Sequence, residues 1–334
     1  MKSIALILAL ASTLIVAAAW AEEPPLLLEK KIVLGEVRGR IDHLAVDLKR
    51  NRLFVAELEN DTVGIVDLDA GKVMRVISGL KRPQGLGYHP WTGALYVANG
   101  GDGTVAVFQG DDYRPIARIA VGDDADNVRI EATGNQVLVG YGEGALAIID
   151  PVSRNKVGEI KLKAHPESFQ IGQTSNRIFV NDPANQAIAV IDRAAGQQVA
   201  SWPTGNAGNF PMALNEKARH VVVAFRNPAK LGVFSMRDGE SFANVDLCGD
   251  ADDMFMDLRR ERVYVSCGDG YLDVFDARAN AYRRIGHIAT VAGARTSLFV
   301  PQLDHLFVAA RATSSEPAST WVFRPNYANE VSVP

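Results

Sequence analysis

Leu53-Phe-Val-Ala-Glu-Leu-Glu-Asn-Asp-Thr-Val-Gly-Ile-Val-Asp67 and Leu95-Tyr-Val-Ala-Asn-Gly-Gly-Asp-Gly-Thr-Val-Ala-Val-Phe108 are one phrase written twice. Each holds a short run of β-formers, a turn of Gly, Asp or Asn, and a second β-run. Self-similarity of this kind is the first thing to test in a long chain, because a fixed period defines a repeat architecture. With the first apolar residue of the phrase as a marker, the repeat recurs at Leu53, Leu95, Val137, Ile178, Val221, Val263 and Leu306, at spacings of 41 to 43 residues. Six units add a third downstream run, such as Val73 to Ile77 or Ile116 to Val121, and each unit opens with a run eight or nine residues before its marker, as in Leu44-Ala-Val.

Four short strands every 42 residues or so is the period of a propeller blade. Tight hairpins explain the Gly and Asp at the turns, where positive φ or a side chain that caps its own backbone is needed. Alternation is blurred because blades stack face to face and bury both sides of each sheet. The seventh unit has no outer strand after Phe323, whereas Lys31-Ile-Val-Leu34 lies unpaired ahead of the first. The expected fold is therefore all-β: a seven-bladed β-propeller of four-stranded blades, closed by the N-terminal strand joining the last blade. Closure removes the edges that invite aggregation.

Composition narrows the function. The chain has 334 residues, and an apolar content of 47% excludes disorder. Its net charge of −4 gives no basic surplus for nucleic acid. Lys2, the apolar run Ile4 to Trp20 and the small residues of Ala19-Trp20-Ala21 read as an export signal cleaved after Ala21. The expectation is a signal peptide over 1–21, a single propeller domain over 22–334, a periplasmic or secreted location, and no membrane span after cleavage. Gly100-Gly-Asp-Gly103 is a hairpin turn and not a phosphate loop, since no strand–helix unit surrounds it.

The two quoted phrases resemble the YVTN-type repeat of YncE-like periplasmic propellers and of bacterial surface-layer propellers. More distantly they resemble the propellers of quinoprotein amine dehydrogenases and of the haem d1 domain of cytochrome cd1. That resemblance implies the propeller architecture and adds one functional class, an accessory of periplasmic redox metabolism. The chain lacks Cys-x-x-Cys-His, so covalent haem is not expected.

Propellers bind ligands where the outer strand of one blade hands over to the inner strand of the next, and the repeats allow those seven positions to be overlaid. Eleven residues before the markers stand Asp42, Gln84, Asp126, Glu167, Phe210, Asp252 and Arg295. Ten before stand His43, Gly85, Asn127, Ser168, Pro211, Asp253 and Thr296. Thirteen before, the ring includes Arg40, Arg82, Asp124, His165 and Asp250. The expectation is an acidic funnel. Asp42, His43, Asp126, Glu167 and Asp252 are candidate ligands for Ca²⁺ or another divalent cation, the oxygens suiting Ca²⁺ or Mg²⁺ and the imidazoles widening the choice to Zn²⁺ or Mn²⁺. Arg295 either neutralises Asp252 or Glu167, or joins Arg40 and Arg82 in gripping a carboxylate or phosphate. Gln84, Asn127 and Phe210 complete the candidate ligand-binding set. His43 and His165 are the candidate proton carriers, since histidine titrates near neutrality. His89, His220, His287 and His305 read as turn or surface residues. Cys248 and Cys267 both fall in blade six, in loops on one face, and are expected to form a disulfide.

Three functions fit these residues. The first is a binding protein for a small polar ligand or a periplasmic protein partner. The second is a cation-dependent hydrolase or lyase resembling lactonase propellers, and the third is the redox accessory.

Overall fold

The computed structural model describes residues 23–278 and 280–327, so the expected signal segment lies outside the described residues. Seven four-stranded antiparallel sheets succeed one another along the chain. In each of the first six, four consecutive strands pair in chain order. The first, for example, is Leu44–Asp47, Arg52–Glu57, Thr62–Asp67 and Lys72–Ile77. The seventh takes Ser297–Val300, His305–Ala310 and Ser319–Pro325 and completes itself with the N-terminal strand Leu26–Val33. Lys31 lies opposite Trp321 and Ile32 opposite Thr320, so the expected closure of the ring is the observed one.

Adhesion between blades follows from the pleat. Successive residues of a strand point to opposite faces. In the second strand of blade one, Leu53 and Val55 pack toward blade seven, against Phe307 and Val322. Phe54 and Ala56 pack the other way, against Leu86, Leu95 and Val97 of blade two. Seven apolar clusters of this kind fill the seven interfaces between blades. Both faces of the middle strands are buried, whereas the outer strand Gln197–Pro203 alternates exposed and half-buried. The outermost strand pair of every blade carries a register shift, at Ile65/Val66 in blade one and at the equivalent place in blades two to six. Blade seven has its own, between Leu28 and Lys30. Such bulges sharpen the local twist and bend the exposed edge away from further pairing.

The faces are also tied by polar latches. Tyr113 of blade two donates to buried Asp47 of blade one at 3.2 Å, and Tyr282 of blade six meets Asn215 of blade five at 3.1 Å. His89 and His220, expected at turns or on the surface, are buried instead. His220 is held against the Tyr282 hydroxyl at 3.1 Å, and His89 against the Gly134 carbonyl at 2.8 Å, so both are part of the packing. Among the described residues no helix is long and apolar enough to cross a membrane.

Candidate functional site

Each inner strand begins at the rim of the central channel, and what holds its first residues decides where their side chains point. In blades one, three and four the ladder continues past the strand. Asp42 N–H donates to the Ala56 carbonyl, Asp126 N–H to that of Gly140, and Glu167 N–H to that of Asn181. In blades two, five and six the register slips instead, between Pro83 and Leu86, Asn209 and Met212, and Ala251 and Asp253. The slip in blade six matters most. There Asp252 is the extra residue, and both it and Asp253 line the channel.

Side chains of the inner strands then stitch one blade to the next. Asn127 donates to the Glu167 carbonyl at 2.7 Å, Ser168 to that of Phe210 at 2.6 Å, and Gln170 to that of Met212 at 2.9 Å. Gly85 closes up in the same belt: a Cβ there would run into the Asp126 carbonyl. The belt surrounds a cavity of about 330 Å³, within the range of small-molecule sites. Its rim is polar, with Arg40, His43, Asp126, Asn127, Glu167 and Asp252, and its deeper wall is apolar, with Val46, Ile130, Met254 and Leu298 among others.

The rim is less purely acidic than the sequence overlay suggests. His43 sits among three carboxylates, its Nδ1 3.3 Å from Asp253 and its Nε2 4.0 Å from both Asp42 and Asp126. Burial opposes its charge, but Asp253, Asp42 and Asp126 outweigh burial and raise its pKa to about 10. Burial pushes the Asp126 carboxyl well above its ordinary range despite the pull of His43, and raises Glu167 despite His165 and Arg226. It raises Asp252 to about 6 against the opposing charges of Arg295 and Arg226. Arg40 reaches Asp42 at 3.2 Å. Arg295 contacts Asp252 at 2.8 Å and Asp250 at 2.9 Å, so in this structure it neutralises carboxylates at the rim.

Not every overlaid residue converges. Arg82 is exposed with a left-handed backbone, and its N–H donates to Asp61. Gln84 is buried behind the rim, donating to Asp124 at 3.2 Å, and His165 stands outside the cavity with Nδ1 2.6 Å from the Gly142 carbonyl. Phe210 lines the cavity beneath the Arg226 guanidinium, 3.5 Å from its ring centre.

Arg226 was missing from the overlay, although it pairs with Asp252 at 2.6 Å and Asp250 at 3.2 Å. It stands five residues past its marker, at the end of a second strand, and Arg311 occupies the same place in blade seven. Arg129 was missed too, eight residues before its marker in the ring that forms the channel wall. Those two further rings were legible in the repeat period and had only to be overlaid.

Cys248 and Cys267 form the expected disulfide. They hold the blade-six rim loop to its neighbouring hairpin, where Gly268 N–H donates to the Asp250 carbonyl and Gly249 N–H to the Asp269 carboxylate. The two cysteines and Asp269 are also the one cluster, among the described residues, in which three potential metal-ligand atoms lie within 4.8 Å of one another. The disulfide occupies both sulfurs, and reduction would leave thiolates suited to a softer ion than Ca²⁺.

No family model matches the chain, and no curated protein matches it in sequence. Fold and site together define a seven-bladed β-propeller with a polar-rimmed central cavity. Among solved structures of like architecture is hydrazine synthase of Kuenenia stuttgartiensis, with a TM-score of 0.75 over 89% of this chain and 97% of that one. At 16% identity that likeness is one of fold alone.

Proposed function

We propose that this protein is an exported binding propeller that takes a small polar ligand at the mouth of its central channel. The observation that carries the proposal is the rim itself. It encloses a cavity of small-molecule size, and two of the residues that line it, Asn127 and Asp126, each carry a buried side-chain oxygen with no hydrogen-bond partner within the protein. A buried polar atom without a partner carries a desolvation cost that a ligand can remove. The disulfide supports an oxidising compartment, and the N-terminal sequence supports export. The carboxylates around His43 keep it charged near neutral pH, which suits a fixed cation better than a proton acceptor.

The test uses thermal melting with the small-molecule fraction of a periplasmic extract. Wild-type protein should melt at a higher temperature with the extract, whereas a Leu298→Trp variant, whose channel is filled, should not. An equal shift in both proteins, or none in either, sinks the proposal.

A further inference from the structure

At the rim, most charges already have a partner. Asp253 faces His43, Asp42 faces Arg40, and Asp252 is shared by Arg226 and Arg295. What remains is divided by sign. Glu167 makes no ion pair among the described residues, and Asp126 has only His43 Nε2 at 4.0 Å. Beside Asp126 in the cavity lining is Asn127, 2% exposed, whose Nδ2 bridges to the Glu167 carbonyl and whose Oδ1 has no partner. The complementary remainder is Arg129, two residues further down the strand that follows Asn127, and therefore on the same face. Its Nε donates to the Phe169 carbonyl at 3.2 Å and one terminal nitrogen to Val128 at 3.0 Å, but no carboxylate among the described residues comes within ion-pair distance.

The bridge from blade three to blade four does not require that charge. Gln170, at the same ring position one blade on, makes the same kind of bridge to the Met212 carbonyl without one. The cavity thus presents at its rim carboxyl groups that lack a close cationic partner, at its wall an arginine without a carboxylate, and apolar surface from Val46, Ile130, Met254 and Leu298. A purely cationic ligand would leave Arg129 uncompensated, and a purely anionic one would face Asp126 and Glu167.

We propose that the ligand is a compact zwitterion, with its ammonium on Asp126, Glu167 and Asn127, its carboxylate on Arg129, and an apolar chain along the channel wall. This rests on the channel-binding proposal above and assigns the ligand its chemical class.

Calorimetric titration of the full chain at pH 7 with L-leucine and 6-aminohexanoate tests it. Each zwitterion is run beside its two halves: 3-methylbutylamine and 4-methylpentanoate for the first, hexylamine and hexanoate for the second. At least one zwitterion should bind with Kd below about 1 mM and at least tenfold more tightly than either of its halves. Arg129→Gln keeps the bridging donor and should erase the advantage over the amine, whereas Asp126→Asn should erase the advantage over the carboxylate. A half that binds as well as its zwitterion overturns the assignment, and so does absence of binding by both zwitterions. If either variant fails to fold, the wild-type series decides alone. If the zwitterions fail while the extract still stabilises the wild-type chain and not Leu298→Trp, the ligand class is wrong and the channel proposal stands. Loss of both effects removes the channel proposal itself.

Discussion

Asp42 and Asp47 flank the same inner strand, five residues apart and both almost fully buried, yet their surroundings differ completely. Asp47, away from the mouth, accepts from the Lys49 and Arg50 amides, the Arg50 guanidinium and the Tyr113 hydroxyl. Burial alone would raise its pKa, but the hydrogen bonds from Tyr88, Arg50 and Tyr113 overcome burial and lower it. Asp42, at the mouth, has no hydrogen bond to either oxygen and relies on the charges of Arg40 and His43. At the packed end of the strand the buried carboxylate is saturated with hydrogen-bond donors, whereas at the mouth it is held by ion pairs alone. The two ends of one strand satisfy a buried charge in two different ways.

That contrast can be broken by mutation, beginning at the packed end. Asp47→Ala leaves Arg50, Tyr113 and two amides without their buried acceptor, and should lower unfolding free energy in urea by about 3–5 kcal/mol. A loss under about 1 kcal/mol would erase the distinction between the ends. The Cys248→Ser/Cys267→Ser pair, which frees the rim loop, should cost about 3 kcal/mol by the same measurement. Its near-ultraviolet and ligand-binding signals should suffer more than its secondary structure.

The third prediction concerns pH. The folded-state pKa of His43 is raised above the ordinary 6.5 to about 10, so its contribution to stability is fully present below pH 6.5 and is lost as pH rises through about 10. Urea midpoints measured across that window should fall for wild-type protein and stay flatter for His43→Gln, and parallel curves would refute the assignment. The smallest effect is expected for Asp126→Asn. Removing a buried carboxylate that lacks a hydrogen bond to the oxygen facing His43 should leave stability at pH 7 within about 1 kcal/mol of wild type, or raise it. Because the folded pKa of Asp126 is raised, wild-type stability falls as pH climbs through and above the ordinary carboxylate range. The variant should lack that fall.

The same contrast explains how much could be read from sequence. The fold was legible because each blade repeats the same physical problem, burying both faces of a small sheet, and so repeats the same spacing. The rim acids were legible because repetition places Asp42, Asp126, Glu167 and Asp252 at one position of the period. The cations among them, Arg226 and Arg129, stand at other positions of the same period and are found only when those rings are overlaid as well. An acidic funnel was therefore expected where the structure has interleaved charges. The register slip between Ala251 and Asp253 leaves no mark in spacing, since blades vary by a residue in any case. The burial of His89 and His220 was hidden for a similar reason: hairpin positions look exposed until the neighbouring blade is placed against them.

The closing of the ring has a kinetic side. Glu29 of the first strand pairs with Arg324 of the last blade, 295 residues away in the chain. Six blades can form from neighbouring hairpins, each soon after its own residues are available. The seventh must wait for both ends of the molecule, and until they meet two sheet edges stay open to solvent and to other chains. Pairing of Leu26–Val33 with Ser319–Pro325 is thus the contact of highest sequence separation in the fold, and it is expected to form late. A circular permutant that made blade seven contiguous would relieve that delay and should refold faster, with less aggregation, while leaving the mouth unchanged.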